Sequence, residues 1–314
     1  MTIPERHTID CEPTTPGYVA AYLRMDRGEC AFIEAYTTHA LPRLLAALDA
    51  HGRRPEDVRW VVVTHVHLDH AGGASALLAR CPNATLLAHP RAARHLVDPS
   101  KLVASAKVVY GEAYFEKVYG TIEPAPADRV RALADGETFD LGASRLRVHH
   151  TRGHAKHHFV VHDPATRTVF TGDTFGLVYP SLQRAGRFAL ASTSPTDFEP
   201  DEARSSLQRV LDLGEETACP THFGEVGGLP EIAAQVRRWV DRSEQWLEEA
   251  ATSDASATDL AKGIAGKLRR GIEEEAYAIG LQLGQADWEL LDLDVRLNAE
   301  GIAYVADKRR TAAE

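Results

Sequence analysis

No stretch of this 314-residue chain is long and apolar enough to span a bilayer, so no membrane partner is expected. Its first residues, Met1-Thr2-Ile3-Pro4-Glu5-Arg6, lack the basic-then-apolar order of a secretory signal, which makes the cytoplasm the expected location. Cysteine is scarce. Cys11, Cys30, Cys81 and Cys219 are scattered with no close pair, which argues against a disulfide framework and for reduced, packed thiols. An excess of positive charge is missing too: 35 Lys and Arg stand against 45 Asp and Glu, a formal net charge of −10. Such a chain repels phosphate backbones unless it carries a local basic patch, and Arg91, Arg94 and Lys101 form only a loose group. No nucleic-acid partner is therefore expected, and a small molecule is the expected substrate. Internal repeats and long low-complexity tracts are also lacking.

What is present begins with a hydrophobic share of 44%, ample for one large core plus a small appendage. Two apolar stretches, from Gly17 to Leu23 and from Cys30 to Glu34, flank the turn Asp26-Arg27-Gly28 and read as a hairpin. Helical periodicity runs from Leu41 to His51 and again from Ala74 to Arg80. Thr85 to His89 reads as a short strand and Pro90 to Leu96 as a short helix, an alternation that predicts α/β layers. Residues 98–127 read as an insertion with Tyr110, Tyr114, Phe115 and Tyr119 at wide helical spacing. Those rings either pack the insertion onto the body or line a cleft. From Pro230 the character changes. Residues 230–250 and 257–284 have helical periodicity, a final helix is expected over Asp287 to Asn298, and the tail from Lys308 to Glu314 is expected to fray. The predicted division is a catalytic domain over residues 1–229 and a helical C-terminal region over 230–314. That region would lie over a site mouth or form a homodimer surface.

The densest chemistry is Thr64-His65-Val66-His67-Leu68-Asp69-His70-Ala71-Gly72-Gly73, straight after the apolar run from Trp60 to Val63. That run reads as a buried strand, because β-branched residues fit a covered, pleated surface. His65 and His67 alternate as strand-end residues do, so both can project to one side. Asp69 and His70 fall at the turn into the next element, where Ala71, Gly72 and Gly73 let the backbone bend closely around a cation. Imidazoles and carboxylates are the usual ligands of zinc and other borderline divalent ions, and crowding four of them is costly without a metal. Candidate partners stand at other strand ends: His154 after Thr151-Arg152-Gly153, Asp173 after the run from Thr168 to Gly172, and His222 after Cys219-Pro220-Thr221. A β-scaffold brings such distant residues to one rim.

In this order the motifs resemble the metallo-β-lactamase fold superfamily, in the dinuclear branch of glyoxalase II-like enzymes, lactonases and tRNA-processing endonucleases. The resemblance covers about residues 15–225. It implies an α/β, αββα fold: two facing sheets between helices, with metals at one edge. By motif position it assigns one metal to His65, His67 and His154, a second to Asp69, His70 and His222, and a bridging role to Asp173. Zinc suits two such sites, and iron and manganese are compatible with them. Many family members carry Asp-x-Gly after the second strand. The corresponding Glu34-Ala35-Tyr36-Thr37 departs from that pattern without removing a ligand.

The activity so implied is hydrolysis of a small ester, thioester or lactone by a metal-bound hydroxide. Asp69 would also pass a proton to the leaving group. Tyr179, six residues after Asp173, falls where lactonase-like relatives place a substrate-contacting tyrosine. It is a candidate hydrogen-bond donor, with plain packing as the alternative. His157 and His158 read as hydrogen-bonding supports for the ligands, and His149, His150 and His162 as surface or sheet positions. His89 and His95 lack the family's ligand positions. Persulfide dioxygenases are similar in fold but use one iron, on the two strand histidines and the later histidine. The presence of Asp69, His70 and His222 favours two metals over that alternative. Phosphodiesterase or nuclease activity is disfavoured by charge, and a non-catalytic scaffold by the completeness of the ligand set.

Overall fold

Runs rich in Val, Ile, Phe and Tyr form two sheets, because β-branched and aromatic side chains suit a covered, pleated surface. The structure is a computed structural model that describes residues 3–12, 15–193 and 197–313. One sheet has the order β1 (Glu5–Asp10), β2 (Ala20–Asp26), β3 (Glu29–Ile33), β4 (Val58–Val62), β5 (Thr85–Ala88) and β6 (Val130–Ala132). Its first three strands pair antiparallel and the rest parallel. The other sheet holds β7 (Thr138–Leu141), β8 (Ser144–His150), β9 (Phe159–Asp163), β10 (Thr168–Gly172) and β11 (Thr217–Pro220) in the order β11-β10-β9-β8-β7. All its pairings are antiparallel except β10 with β11. The expected hairpin is β2–β3. Its turn places Arg27 at φ 48° and Gly28 at φ 92°, the consecutive positive values that a tight hairpin turn requires and that glycine adopts without strain.

Every residue of β2 is buried, and the period of two explains how. Ala21, Leu23 and Met25 enter a core that also holds Leu44, Leu48, Leu77, Leu78 and Leu96. Those leucines come from α1 (Leu41–Ala50), α3 (Ala74–Arg80) and α4 (Pro90–Val97), which with α2 (Leu68–Ala71), α5 (Ser100–Tyr110) and α6 (Glu112–Tyr119) are the helices that precede β6. Ala20 and Tyr22 face the other way, into a core shared with Phe139, Leu146, Phe159 and Phe170 of the second sheet. Each such large side chain contributes about 1.5–3 kcal/mol on burial.

The compact units do not divide at residue 230 as the sequence suggested. A sheet unit comprises the described residues of Met1–His150, His157–Gly172 and Glu215–Glu225, with all the strands above. A helical unit comprises those of Thr151–Lys156, Asp173–Gly214 and Val226–Glu314. The helical unit thus gathers two segments that lie far upstream of residue 230. It contains α7 (Pro200–Asp212), α8 (Leu229–Ala251), α9 (Ala257–Ala278) and α10 (Gln285–Ala313). In α8, Leu229, Ile232, Val236, Val240, Ser243 and Leu247 recur every three or four residues and are buried, as an amphipathic helix demands. Ser256 caps α9, its hydroxyl accepting from the Asp259 amide at 3.2 Å. That helix ends before the predicted residue 284, because Gly280 turns into the left-handed region at φ 75°. The last helix, by contrast, outruns its expected end at Asn298. Residues 308–313 are helical rather than frayed, and Arg310 donates to the Ala255 carbonyl at 2.9 Å. Glu314 lies outside the described residues.

The insertion folds as α5 and α6. Phe115 and Tyr119 are buried in a cluster with Leu68, while Tyr114 is 36% exposed. Packing therefore accounts for two of the four aromatics. The Tyr110 side chain lies outside the described residues.

Candidate metal centre

The histidine motif leaves β4 through Val63 and Thr64, both fully buried, and enters the short α2 at Leu68. The chain must fold back tightly here. The Ala35 amide donates to the His70 carbonyl at 2.9 Å and the Gly73 amide to the Tyr36 carbonyl at 2.8 Å. A Cβ on Gly73 would sit 2.5 Å from the Ala35 carbonyl oxygen, so only glycine permits this approach. The loop carrying His65 and His67, and α2 carrying Asp69 and His70, are thereby held against the exit of β3.

Within the sheet unit, Asp69, His70 and His222 converge: each offers one ligand atom, and these atoms all lie within 4.8 Å of one another. His222 Nδ1 faces the Tyr18 carbonyl at 3.2 Å, and its Nε2 lies 3.4 Å from Asp69 Oδ2. His70 Nδ1 lies 3.3 Å from Glu34 Oε1, and its Nε2 lies 3.7 Å from Asp69 Oδ2. The Tyr18 carbonyl at His222 Nδ1 favours the tautomer whose Nε2 lone pair faces Asp69, the arrangement a cation needs. In the same unit His65 Nε2 and His67 Nδ1 approach to 2.9 Å, and His65 Nδ1 lies 3.0 Å from the Thr64 hydroxyl. The rings of His157 and His158 flank His65 at 6.1 and 4.9 Å between centroids. Asp69 has 36% of its side chain exposed, whereas the His70 ring is fully covered.

Glu34 was the one departure from the family pattern, and it holds a central place. It is 1% exposed, adopts φ 69°, and its Oε1 accepts from the Thr64 hydroxyl at 2.5 Å and from the Thr221 hydroxyl at 3.3 Å. One carboxylate oxygen therefore links the residue before His65, the ring of His70 and the residue before His222. Glu34→Gln is expected to weaken metal binding about 10–100-fold, because supports behind a ligand act on this scale. Chelator competition reads the affinity, with circular dichroism as the control for folding. Unchanged affinity would mean that His70 keeps its orientation without the carboxylate.

The other two assigned ligands lie in the helical unit, where they meet each other. His154 Nε2 stands 3.5 Å from Asp173 Oδ2. His154 Nδ1 faces the Ser192 carbonyl at 3.2 Å, and the Ser192 hydroxyl donates to Asp173 Oδ2 at 3.1 Å. A small cavity beside them is walled by Phe198, Leu207, Val236 and Val240. Glu34, Thr64, Thr221 and Ser192 are thus supports that sequence reasoning did not identify. Their roles rest on contacts between segments distant in the chain, such as Glu34 with Thr64 and Thr221.

Tyr179 departs from the substrate-contact expectation. It is 1% exposed and its hydroxyl donates to Asp294 at 2.9 Å inside the helical unit. Packing and a buried hydrogen bond account for it. Tyr179→Phe is expected to leave metal content and turnover unchanged and to cost about 1–2 kcal/mol of stability. A loss of turnover at unchanged stability would return the hydroxyl to the substrate. The cysteines offer no alternative nucleophile: all four are buried and free, and burial pushes the Cys30 and Cys81 thiols up to about 11.

Comparison with known proteins agrees with this geometry. Residues 14–222 match the family model of the metallo-beta-lactamase superfamily. A metallo-beta-lactamase fold-containing protein of Sulfurisphaera tokodaii is 31% identical over 171 residues, which cover 53% of this chain and 61% of that protein. A hydroxyacylglutathione hydrolase of Aeromonas hydrophila is 26% identical over 206 residues, 65% of this chain and 61% of the relative. The chain therefore spans less than two thirds of the length of these curated relatives. Among solved structures, an archaeal superfamily member from Sulfolobus tokodaii aligns with a TM-score of 0.65 at 24% identity, covering 95% of this chain and 97% of that one. The α/β fold expected from the motifs, with its helical C-terminal region, is the fold found.

Proposed function

The chain belongs to the metallo-beta-lactamase superfamily, and on that footing we propose that it is a metal-dependent hydrolase of a small ester, thioester or lactone, working with two divalent ions, zinc foremost. The observation that carries the proposal is the convergence of Asp69, His70 and His222, with the His222 ring facing the Tyr18 carbonyl through Nδ1. The donor chemistry fits a metal, since neutral imidazoles and a carboxylate are the ligands of borderline dications. His65 and His67, together with the His154 and Asp173 that the motif assigns, would complete the ligand set. When bound, such ions make water a nucleophile at neutral pH and polarise a carbonyl oxygen.

The protein residues have separate tasks. Glu34, Tyr18 and Ser192 hold imidazole rings in place, which removes reorganisation from the reaction. Asp69, the accessible member of its group, passes a proton to the departing oxygen or sulfur through its second carboxylate oxygen. An acyl substrate is favoured over a phosphodiester by the net charge of −10. The relative named as a hydroxyacylglutathione hydrolase supports the same class. A single-iron oxygenase would leave the Asp69, His70 and His222 group without work.

The test is metal content per chain on protein purified without chelator or added metal, combined with lactone, thioester and phosphodiester substrates. Ester-type cleavage that disappears on chelation and returns with zinc is expected. One iron per chain, with oxygen uptake on a persulfide and no ester cleavage, would overturn the proposal.

A further inference from the structure

We propose that Glu5, His7 and His51 form an additional divalent transition-metal site on the sheet unit, built from none of the motif residues. Glu5 and His7 are alternate residues of β1, an edge strand, so their side chains leave the same face. His51 is the C-cap of α1. The two rings stack with centroids 3.7 Å apart and planes inclined at 28°, and His7 Nε2 lies 3.3 Å from Glu5 Oε2. One ligand atom from each of the three residues lies within 4.8 Å of the others. Zinc bonds of about 2.0–2.1 Å at a tetrahedral angle hold their donor atoms roughly 3.3–3.5 Å apart. The Glu5–His7 separation already has that value, and a turn of the His51 ring out of the stack, bringing its nitrogen toward Glu5 and His7, would complete the set.

Two further features favour a cation here. Two imidazoles and a carboxylate match a zinc site with its fourth position open to water. The C-terminus of α1 directs partial negative charge toward His51. A bound ion would clip the edge strand to the helix beside it.

Zinc titration of the chelator-stripped full chain provides the test. Wild type is expected to bind one equivalent more than His51→Ala, and Glu5→Gln to weaken that equivalent at least tenfold. Hydrolytic activity per catalytic metal should be the same in all three. The extra equivalent should also persist in His222→Ala, which separates this site from the motif site whatever the fate of the hydrolase proposal. Because His51 is exposed, its removal should leave the circular dichroism spectrum unchanged, and His7→Gln provides an independent variant. Equal zinc stoichiometry and affinity in wild type and His51→Ala would overturn the proposal.

Discussion

His222→Ala is expected to lose metal from the Asp69 group and to lower kcat/KM at least a thousandfold, about 4 kcal/mol of transition-state stabilisation. The ring supplies the Nε2 that stands 3.4 Å from Asp69 Oδ2 and completes the Asp69 group. Its removal leaves the Tyr18 carbonyl without that ring but strands no buried charge. Folding should therefore be close to intact, which makes this the cleanest variant of the group. His70→Ala should cost as much activity and more stability, because it exposes the buried Glu34 carboxylate to a cavity where the ring had been. His65→Ala and Asp173→Ala are expected to follow His222→Ala in metal and activity. Elemental analysis after dialysis, together with kcat/KM on the best substrate of the panel, measures both effects. Full metal content and turnover in His222→Ala would remove that histidine from the site and with it the two-metal assignment.

The metal motif was legible because metal chemistry compresses its requirements into a few residues. His65, His67, Asp69 and His70 must be polar where a strand ends, and the glycines after them must permit a tight return. His154, Asp173 and His222 were candidates for a related reason: each follows a strand, with a glycine or proline close by. What remained hidden depends on contacts between distant segments. Glu34 looks like a lost motif residue until its φ of 69° and its bonds to Thr64 and Thr221 are seen. Tyr179 looks available to a substrate until Asp294, 115 residues away, is found beside it. The division near residue 230 followed a change of composition, but compactness follows packing, and packing draws residues 151–156 and 173–214 into the helical unit. The end of α10 was misplaced because the Arg310 bond to the Ala255 carbonyl, which helps hold the last turns, has no local signature.

Arg24→Met is expected to destabilise the sheet unit by about 3–5 kcal/mol, a midpoint shift on the order of 10 °C. Arg24 lies on the face of β2 that also carries Ala20 and Tyr22, yet it is completely buried. It is compensated on every side. Its Nε donates to Asp163 at 2.6 Å, Nη1 to the Met25 carbonyl at 2.6 Å and Nη2 to the Ser144 hydroxyl at 2.7 Å. That hydroxyl donates onward to Asp26 at 2.7 Å. Burial disfavours the Asp26 charge, but this bond and the amides of Ala143 and Ser144 outweigh it and hold the carboxyl below its usual range. Methionine would fill most of the arginine volume, so the loss would report the charge left behind on Asp163 rather than a cavity. Asp163 cannot simply be deleted, since it also accepts from the Ala165 amide at 3.2 Å and the Thr166 hydroxyl at 2.8 Å, which shape the turn into β10. Asparagine keeps an acceptor for that turn and drops the charge. Adding Asp163→Asn to Arg24→Met should therefore recover part of the loss, although Asp163→Asn alone is destabilising. Denaturant midpoints for the four proteins of this cycle give the coupling directly. If Arg24→Met cost less than about 1 kcal/mol, the pair would contribute no more than an exposed ion pair, and its burial would have to be explained without it.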